Sequence, residues 1–370
     1  MKDRRIRYDA VVAGYLDVDI APIFPEKNAR PMSELFRPGS VLETEGLSIS
    51  LGGVVPNTGL AMHMFGKRVA LNALVGKDVV GDLIMNMLSK HDVALDIHRT
   101  DAVETAYSIV LAPPGSDRMF ILSPGANALF SVSDVDYDIV GASRIFHFGY
   151  PPLMNKMFAD NGAELEKVLA RARESGAAVS LDMTVPDPNS PSGKADWPAV
   201  LEKALPHVDI FVPSIEELLY MLDLERYKKI LSEAGNEDMV DYVPDGVYSE
   251  LAARAIAHGV SVVMIKAGHR GAYLKTENME KLNNTSLGPV ADNWSDIDAW
   301  APVCPADPGR IKNACGAGDA AVAAFLSAML DGEPAERAAS MAMRAGRDNL
   351  YGADSLSGLS DWSEMLNADH

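Results

Sequence analysis

Short apolar runs alternate with longer amphipathic stretches along most of this chain. Residues 8–12, a run that ends near Gly14, read as a first buried strand. Residues 69–75, 145–148, 178–182, 210–212 and 260–266 repeat that pattern. Between them, 58–65, 163–175 and 247–258 carry helical spacing, as does a segment that opens at Gly81-Asp82 and runs to about Lys90. Residues 334–351 predict one more helix. Strand–helix–strand alternation implies parallel strands joined by crossover helices, hence an α/β fold around a central, mostly parallel sheet. Two segments depart from it. Residues 20–50 are rich in proline and then alternate in Leu47-Ser-Ile-Ser-Leu51, which predicts strands outside the main sheet. Residues 105–125 alternate on either side of Pro113-Pro-Gly-Ser-Asp117, a hairpin signal. Residues 223–247 and 276–310, the latter with Trp294 and Trp300, read as polar insertions with no function attached.

Composition narrows the partners. The length of 370 residues suits one large domain, expected to span 1–370. A net charge of −19, from 52 acids against 33 bases, would repel a nucleic-acid backbone. Any phosphate pocket must then rest on backbone N–H groups, a metal ion and a few local bases. Only Cys304 and Cys315 are present, which excludes a disulfide framework and suits a reducing compartment. The first residues are basic, as in an export signal, but Asp9, Asp17 and Asp19 interrupt the apolar segment such a signal needs. No apolar run approaches the ~20 residues of a membrane span. The expected location is the cytoplasm.

The strongest chemical signal is Asn313–Met329, NACGAGDAAVAAFLSAM. Gly316, Ala317 and Gly318 form a small-residue turn that feeds an apolar helix, so the first N–H groups and the helix dipole favour an anionic oxygen in front. Asp319 at that terminus reads either as a helix cap or as a proton acceptor for a substrate hydroxyl beside a bound phosphate. Other candidates sit where predicted strands end, the place where ligands bind in open α/β sheets. Asp17 and Asp19 after the first strand suit sugar hydroxyls, or are solvated loop acids. Gly52 and Gly53 permit close backbone approach, and Asn57 offers an amide. Asp182 is a cleft residue or a cap. Lys266 faces phosphate or solvent, and Gly268 and Gly271 shape either a hairpin or a phosphate loop; His269 and Arg270 are expected at the surface. There is no Walker A string, and no G-x-G-x-x-G follows the first strand, which argues against P-loop kinases and dinucleotide dehydrogenases.

Gly316-Ala-Gly-Asp319 resembles the signature of the ribokinase-like (PfkB) carbohydrate kinases, Asp-Thr-x-Gly-Ala-Gly-Asp. Gly52-Gly53-x-x-x-Asn57, the run Gly76, Asp78, Gly81, a Ser214-x-x-Glu217 variant of Asn-x-x-Glu, and Gly268-x-x-Gly271 follow in family order. The resemblance implies a three-layer ribokinase-like α/β/α domain with a small β-sheet lid from about 20–51 and 105–125. It implies transfer of phosphate from ATP to a hydroxymethyl group of a sugar or sugar-like acceptor. Asp319 would be the base, with Gly316, Ala317 and Gly318 forming the anion hole. Asp19, preferred over Asp17 by its spacing from Gly14, would bind the acceptor with Gly52, Gly53 and Asn57. Lys266, Gly268, Gly271 and Asn349 would line the nucleotide. Glu217, ahead of Glu216, would act through water on Mg2+. Tyr107 would stand near the sugar or in the lid core, and Gly125-Ala-Asn127 resembles a loop that closes the site. Asn313 and Ala314 replace the usual Asp and Thr, which argues against activation by a monovalent cation. A homodimer through the lid is also implied. Two alternatives stay open: a nucleoside kinase on the same scaffold, and a non-catalytic nucleotide or sugar sensor, which the changed Asn313 and Ser214 positions allow.

Overall fold

The strand Val69–Gly76 is buried at all eight positions, which requires cover on both faces of its sheet. It belongs to a nine-stranded sheet in a computed structural model that describes residues 6–28, 31–115, 119–290 and 292–367. In chain order the described strands are β1 (Tyr8–Gly14), β2 (Asp17–Ile23), β3 (Gly46–Gly52), β4 (Val69–Gly76), β5 (Ala94–Thr100), β6 (Tyr107–Leu111) and β7 (Met119–Ser123). They continue with β8 (Ser143–Gly149), β9 (Ala178–Leu181), β10 (Ile210–Phe211), β11 (Val262–Lys266), β12 (Ala272–Thr276) and β13 (Asp298–Ala301). The large sheet runs β13-β12-β11-β10-β9-β8-β1-β4-β5; it is parallel from β5 to β11 and antiparallel from β11 to β13. The α/β architecture around a mostly parallel sheet, with a second small sheet beside it, is therefore as expected.

The helices form where the pattern places them. In Ala163–Glu174, Leu165, Val168, Leu169 and Ala172 are buried, one stripe at helical spacing. Asp78 caps Val79–Leu88 by accepting from the Gly81 amide at 2.7 Å. Ala317–Asp331 differs, being buried almost all round from Asp319 to Leu330. Its many alanines let Ala335–Asn349 and Val54–Met64 pack against it.

The lid is a second sheet, β3-β2-β6-β7, in which β2 pairs antiparallel with β3 and parallel with β6. Strands β6 and β7 form the expected hairpin, although Ser116, Asp117 and Arg118 of its turn lie outside the described residues. Two expectations need correction. Residues 223–247 include the helix Leu224–Ala234, which buries Ile230 and Ala234. Residues 276–310 contribute β13 to the sheet edge and bury Trp294, whose indole N–H donates to the Glu333 carbonyl at 2.8 Å. Trp300 packs edge-on against Tyr248 at 4.7 Å. Both segments read as polar because few residues in each face inward. No helix among the described residues is long and apolar enough to cross a membrane.

Candidate active site

The order of the large sheet reverses at β1: the chain goes first to β4 and β5 on one side, then to β8 on the other. In open α/β sheets the crevice outside the carboxyl ends of the strands at such a reversal holds ligands. Gly14 and Gly149 are register partners at that edge. Beyond them, β1 leads through Tyr15 into the lid and β8 into Tyr150, while β9 is followed directly by Asp182 and β11 ends at Lys266. The residues singled out from sequence thus converge from separate strands.

Asp319 lies in the first turn of Ala317–Asp331 and is only 3 % exposed. Gly316 precedes the helix at φ 78°, a left-handed turn natural to glycine. A side chain there would also meet Ser355 at 2.6 Å. Three donors reach the Asp319 carboxylate. Asn57 Nδ2 donates to Oδ2 at 3.0 Å and Thr58 Oγ1 to Oδ1 at 3.3 Å. The Tyr150 hydroxyl lies 2.9 Å from both oxygens. Burial raises the carboxyl above its ordinary range, against the pull of Asn57, Tyr150, Lys266 and Thr58. Asn57 is pinned in turn, since Ser355 Oγ donates to its Oδ1 at 2.7 Å. Val54–Met64 begins right after Gly53, four residues earlier than its pattern suggested, so Asn57 and Thr58 stand together in its opening turns.

Lys266 reaches under the same helix. Its Nζ donates to both oxygens of Asp182, at 2.7 and 2.9 Å, and lies 3.9 Å from where a Gly318 side chain would begin. Burial alone would lower the ammonium, but Asp182, Glu217 and Asp319 more than offset it and hold it charged. Glu217 forms a capping box with Ser214: its Oε2 accepts the Ser214 amide at 2.6 Å and its own N–H donates back at 3.2 Å. Neighbouring Glu216 is pushed up to about 7 by burial, then by Glu217 and Asp238. Asp182, Glu216 and Glu217 supply hard carboxylate oxygens, the donor chemistry Mg2+ takes. Among the described residues no cluster of three or more metal-binding side chains occurs.

The lid floor carries the other acids. Asp17 is 2 % exposed and accepts from Ser108 Oγ at 2.7 Å and from the Tyr15 hydroxyl at 3.3 Å. Burial, then repulsion from Asp19, push it up to about 7. A Cβ on Gly52 would fall 2.2 Å from Asp17 Oδ1 and 2.8 Å from Asp19 Oδ2, so the two carboxylates require glycine there. Asn127 exchanges two hydrogen bonds with the Leu16 backbone, at 2.8 and 3.2 Å, and fixes the β1–β2 turn. Tyr107 lies on β6 opposite Val18.

The remaining candidates fall elsewhere. Gly268 and Gly271 bracket the turn of the β11–β12 hairpin. Beside it His269 pairs with Asp241 at 2.7 Å, and Arg270 binds the Val240 carbonyl at 2.9 Å and Asp245, both tying down residues 223–247. Asn349 is fully buried; its Nδ2 donates to the Ser355 carbonyl at 2.8 Å and braces the following turn, while its Oδ1 has no hydrogen-bond partner. Asn313 Oδ1 accepts the Cys315 amide at 2.9 Å and shapes the loop before Gly316. Tyr150 and Thr58 had no signal in the sequence: neither belongs to a glycine motif or a charged string.

Known proteins share the family profile and the fold. The sequence profile of the pfkB family of carbohydrate kinases matches residues 27–347. Probable fructokinase-2 of Arabidopsis thaliana is 27% identical over 156 residues, 41% of this chain and 46% of that protein. Fructokinase-2 of Solanum habrochaites is 27% identical over 158 residues, 42% of this chain and 47% of its own length. The chain thus spans about half the length of these curated relatives. Among solved structures, Arabidopsis thaliana ribokinase complexed with ribose and ATP superposes with a TM-score of 0.71 at 19% identity, covering 98% of both chains. Fructokinase with bound ATP from Xylella fastidiosa gives 0.70 at 18% identity, covering 97% of this chain and 98% of its own. The profile runs from the lid to the helix behind Asp319, well over half of the sequence, and the chain belongs to the pfkB family of carbohydrate kinases.

Proposed function

We propose that this protein transfers the γ-phosphoryl group of ATP to a hydroxymethyl group of a sugar or sugar-like acceptor. One observation carries the reading: a nearly buried carboxylate, Asp319, stands at a helix N-terminus behind Gly316–Gly318, with the charged Lys266 alongside. In this scheme the acceptor oxygen attacks the γ-phosphorus while its proton passes to Asp319. The bond to the bridging oxygen breaks and ADP leaves. The amides at Gly316, Ala317 and Gly318, with Lys266, stabilise charge on the transferring group. Asp19 and Asp17, with Gly52 and Gly53, position the acceptor; Asn57 acts by holding Asp319. Gly268 and Gly271 border the nucleotide. Magnesium, when bound, would neutralise phosphate charge, with Glu217 reaching it through water and Glu216 and Asp182 close by.

Residues 1–370 act in this scheme as one catalytic unit with its lid. Exposed Met119, Phe120, Ile121 and Leu122 on the edge strand β7, with Leu47 and Ile49 on β3, support a homodimer through the lid. The two-cysteine composition supports a cytoplasmic setting. The test is ADP release with Mg-ATP across sugars, sugar acids and nucleosides, beside Asp319→Asn. Turnover with one acceptor, lost in the variant, would support the reading and name the acceptor class. No acceptor-dependent turnover, with ATP or a sugar still raising the melting temperature, would replace it with a sensor.

A further inference from the structure

We infer that Tyr150 is a displaceable cap on Asp319, which keeps water from using the base until an acceptor hydroxyl takes the phenol's place. This inference rests on the kinase reading above and adds a residue that no motif marks. Three observations carry it. First, the Tyr150 hydroxyl is 2.9 Å from both Asp319 oxygens, so it straddles the edge of the carboxylate that Asn57 and Thr58 leave open. A substrate hydroxyl that is to give its proton to Asp319 needs that same edge. Second, the Tyr150 backbone is left-handed, φ 65° and ψ 41°, in a bulky residue followed by Pro151. Bulky residues rarely adopt that conformation, and a following proline disfavours helical backbone further. The chain holds it immediately after β8, at the sheet reversal where the ligand crevice opens. Third, Tyr150 is partly exposed as a residue while its hydroxyl is buried beside Asp319, which is 3 % exposed. Burial and the surrounding acids also hold Tyr150 well above the ordinary tyrosine range, so it stays a neutral donor and never competes as a base.

Hydrolysis is the reaction a kinase must suppress. A water oxygen would attack the γ-phosphorus, its proton would pass to Asp319, and the bond to the bridging oxygen would break, giving ADP and inorganic phosphate. With the phenol on the carboxylate, that proton has no acceptor. An acceptor sugar brings binding energy from its other hydroxyls, through the lid acids Asp17 and Asp19, and can displace the phenol; water has none to spend.

The experiment uses the full-length protein, Mg-ATP, and D-fructose and D-ribose as acceptor probes within the wider acceptor panel. Tyr150→Phe keeps the ring and removes the donor. ADP release without any acceptor should rise about tenfold or more, the scale of one hydrogen bond to a charged group. With the acceptor that the wild type uses, KM should fall while kcat is retained. The double variant Tyr150→Phe, Asp319→Asn should lose the leak. A structural role alone would lower the melting temperature and the rate together and would not create hydrolysis. An unchanged acceptor-free rate in a folded Tyr150→Phe, or a leak that survives in the double variant, overturns the inference while the wild type's transfer activity stands. A wild type without acceptor-dependent turnover rejects the kinase reading, and this one with it.

Discussion

Asp319 at the helix terminus and Asp17 on the lid floor are about equally hidden, at 3 % and 2 % exposure, yet their neighbours differ in kind. Asp319 takes hydrogen bonds from Asn57, Thr58 and Tyr150 and is attracted by Lys266. Asp17 takes hydrogen bonds from Ser108 and Tyr15 but faces a second carboxylate, Asp19. Burial raises both. In one pocket donors and a cation oppose it; in the other a like charge reinforces it and carries Asp17 to about 7. Burial therefore does not decide what a carboxylate does. The neighbours set how far burial is opposed: Asn57, Tyr150, Lys266 and Thr58 pull against it at Asp319, while Asp19 adds to it at Asp17.

The comparison breaks most visibly if its cation is removed. Lys266→Met leaves Asp182, 1 % exposed and already pushed up to about 7 by burial, without its charged partner, and should destabilise the fold in thermal or denaturant unfolding, more at pH 8 than at pH 6. A loss well under about 1 kcal/mol would mean the pair is not ionised. Next comes the proposed base: Asp319→Asn should lower kcat by ~10²-fold or more with acceptor KM little changed, and unchanged turnover would remove Asp319 from the mechanism. On the lid side, Asp17→Asn should raise the melting temperature at pH 8 by roughly 2–4 °C. The sign follows from the raised folded value of about 7 against an ordinary 3.8: stability from that proton is complete below about 4 and lost as pH rises through 7. The two melting curves should therefore converge toward pH 4, and a constant gap from pH 4 to 8 would contradict the raised value. The smallest effect expected is none: exchanging potassium for sodium should leave the rate unchanged, because Asn313 spends its Oδ1 on the Cys315 amide. A strong potassium dependence would assign that loop a cation.

Where the pattern is local, the fold was legible. Apolar runs for β1, β4, β8, β9 and β11, the β6–β7 hairpin and the helices Ala317–Asp331 and Ala335–Asn349 all lie within a residue or a few of their sequence spacing. Residues 223–247 and 276–310 were opaque because their inward residues are sparse, such as Ile230 and Trp294, and gain meaning only from what they touch. The site divides the same way. Gly316, Asp319, Gly52 and Asn57 stand in strings whose spacing has a steric reason. Asp182 left its role open, and its pairing with Lys266, 84 residues away, was settled only by β9 and β11 ending at the same crevice. Ser214 and Glu217 resolve into a reciprocal cap, which occupies the oxygen Oε2 on Glu217.

By itself, then, the sequence determined the alternation that builds a parallel sheet, the small-residue turn that starts the Ala317–Asp331 helix, and the carboxylate placed at its first turn. Those properties depend on neighbours within a few positions, where backbone sterics and periodicity act. Only the tertiary structure decided which donors reach Asp319, that Asp17 rather than Asp19 is the more deeply buried lid acid, and that a tyrosine just after β8 lies on the Asp319 carboxylate. The contact from Tyr150 to Asp319 joins residues 169 positions apart, and no local periodicity encodes such a meeting. It exists because a sheet that reverses its order brings distant strand ends to one crevice.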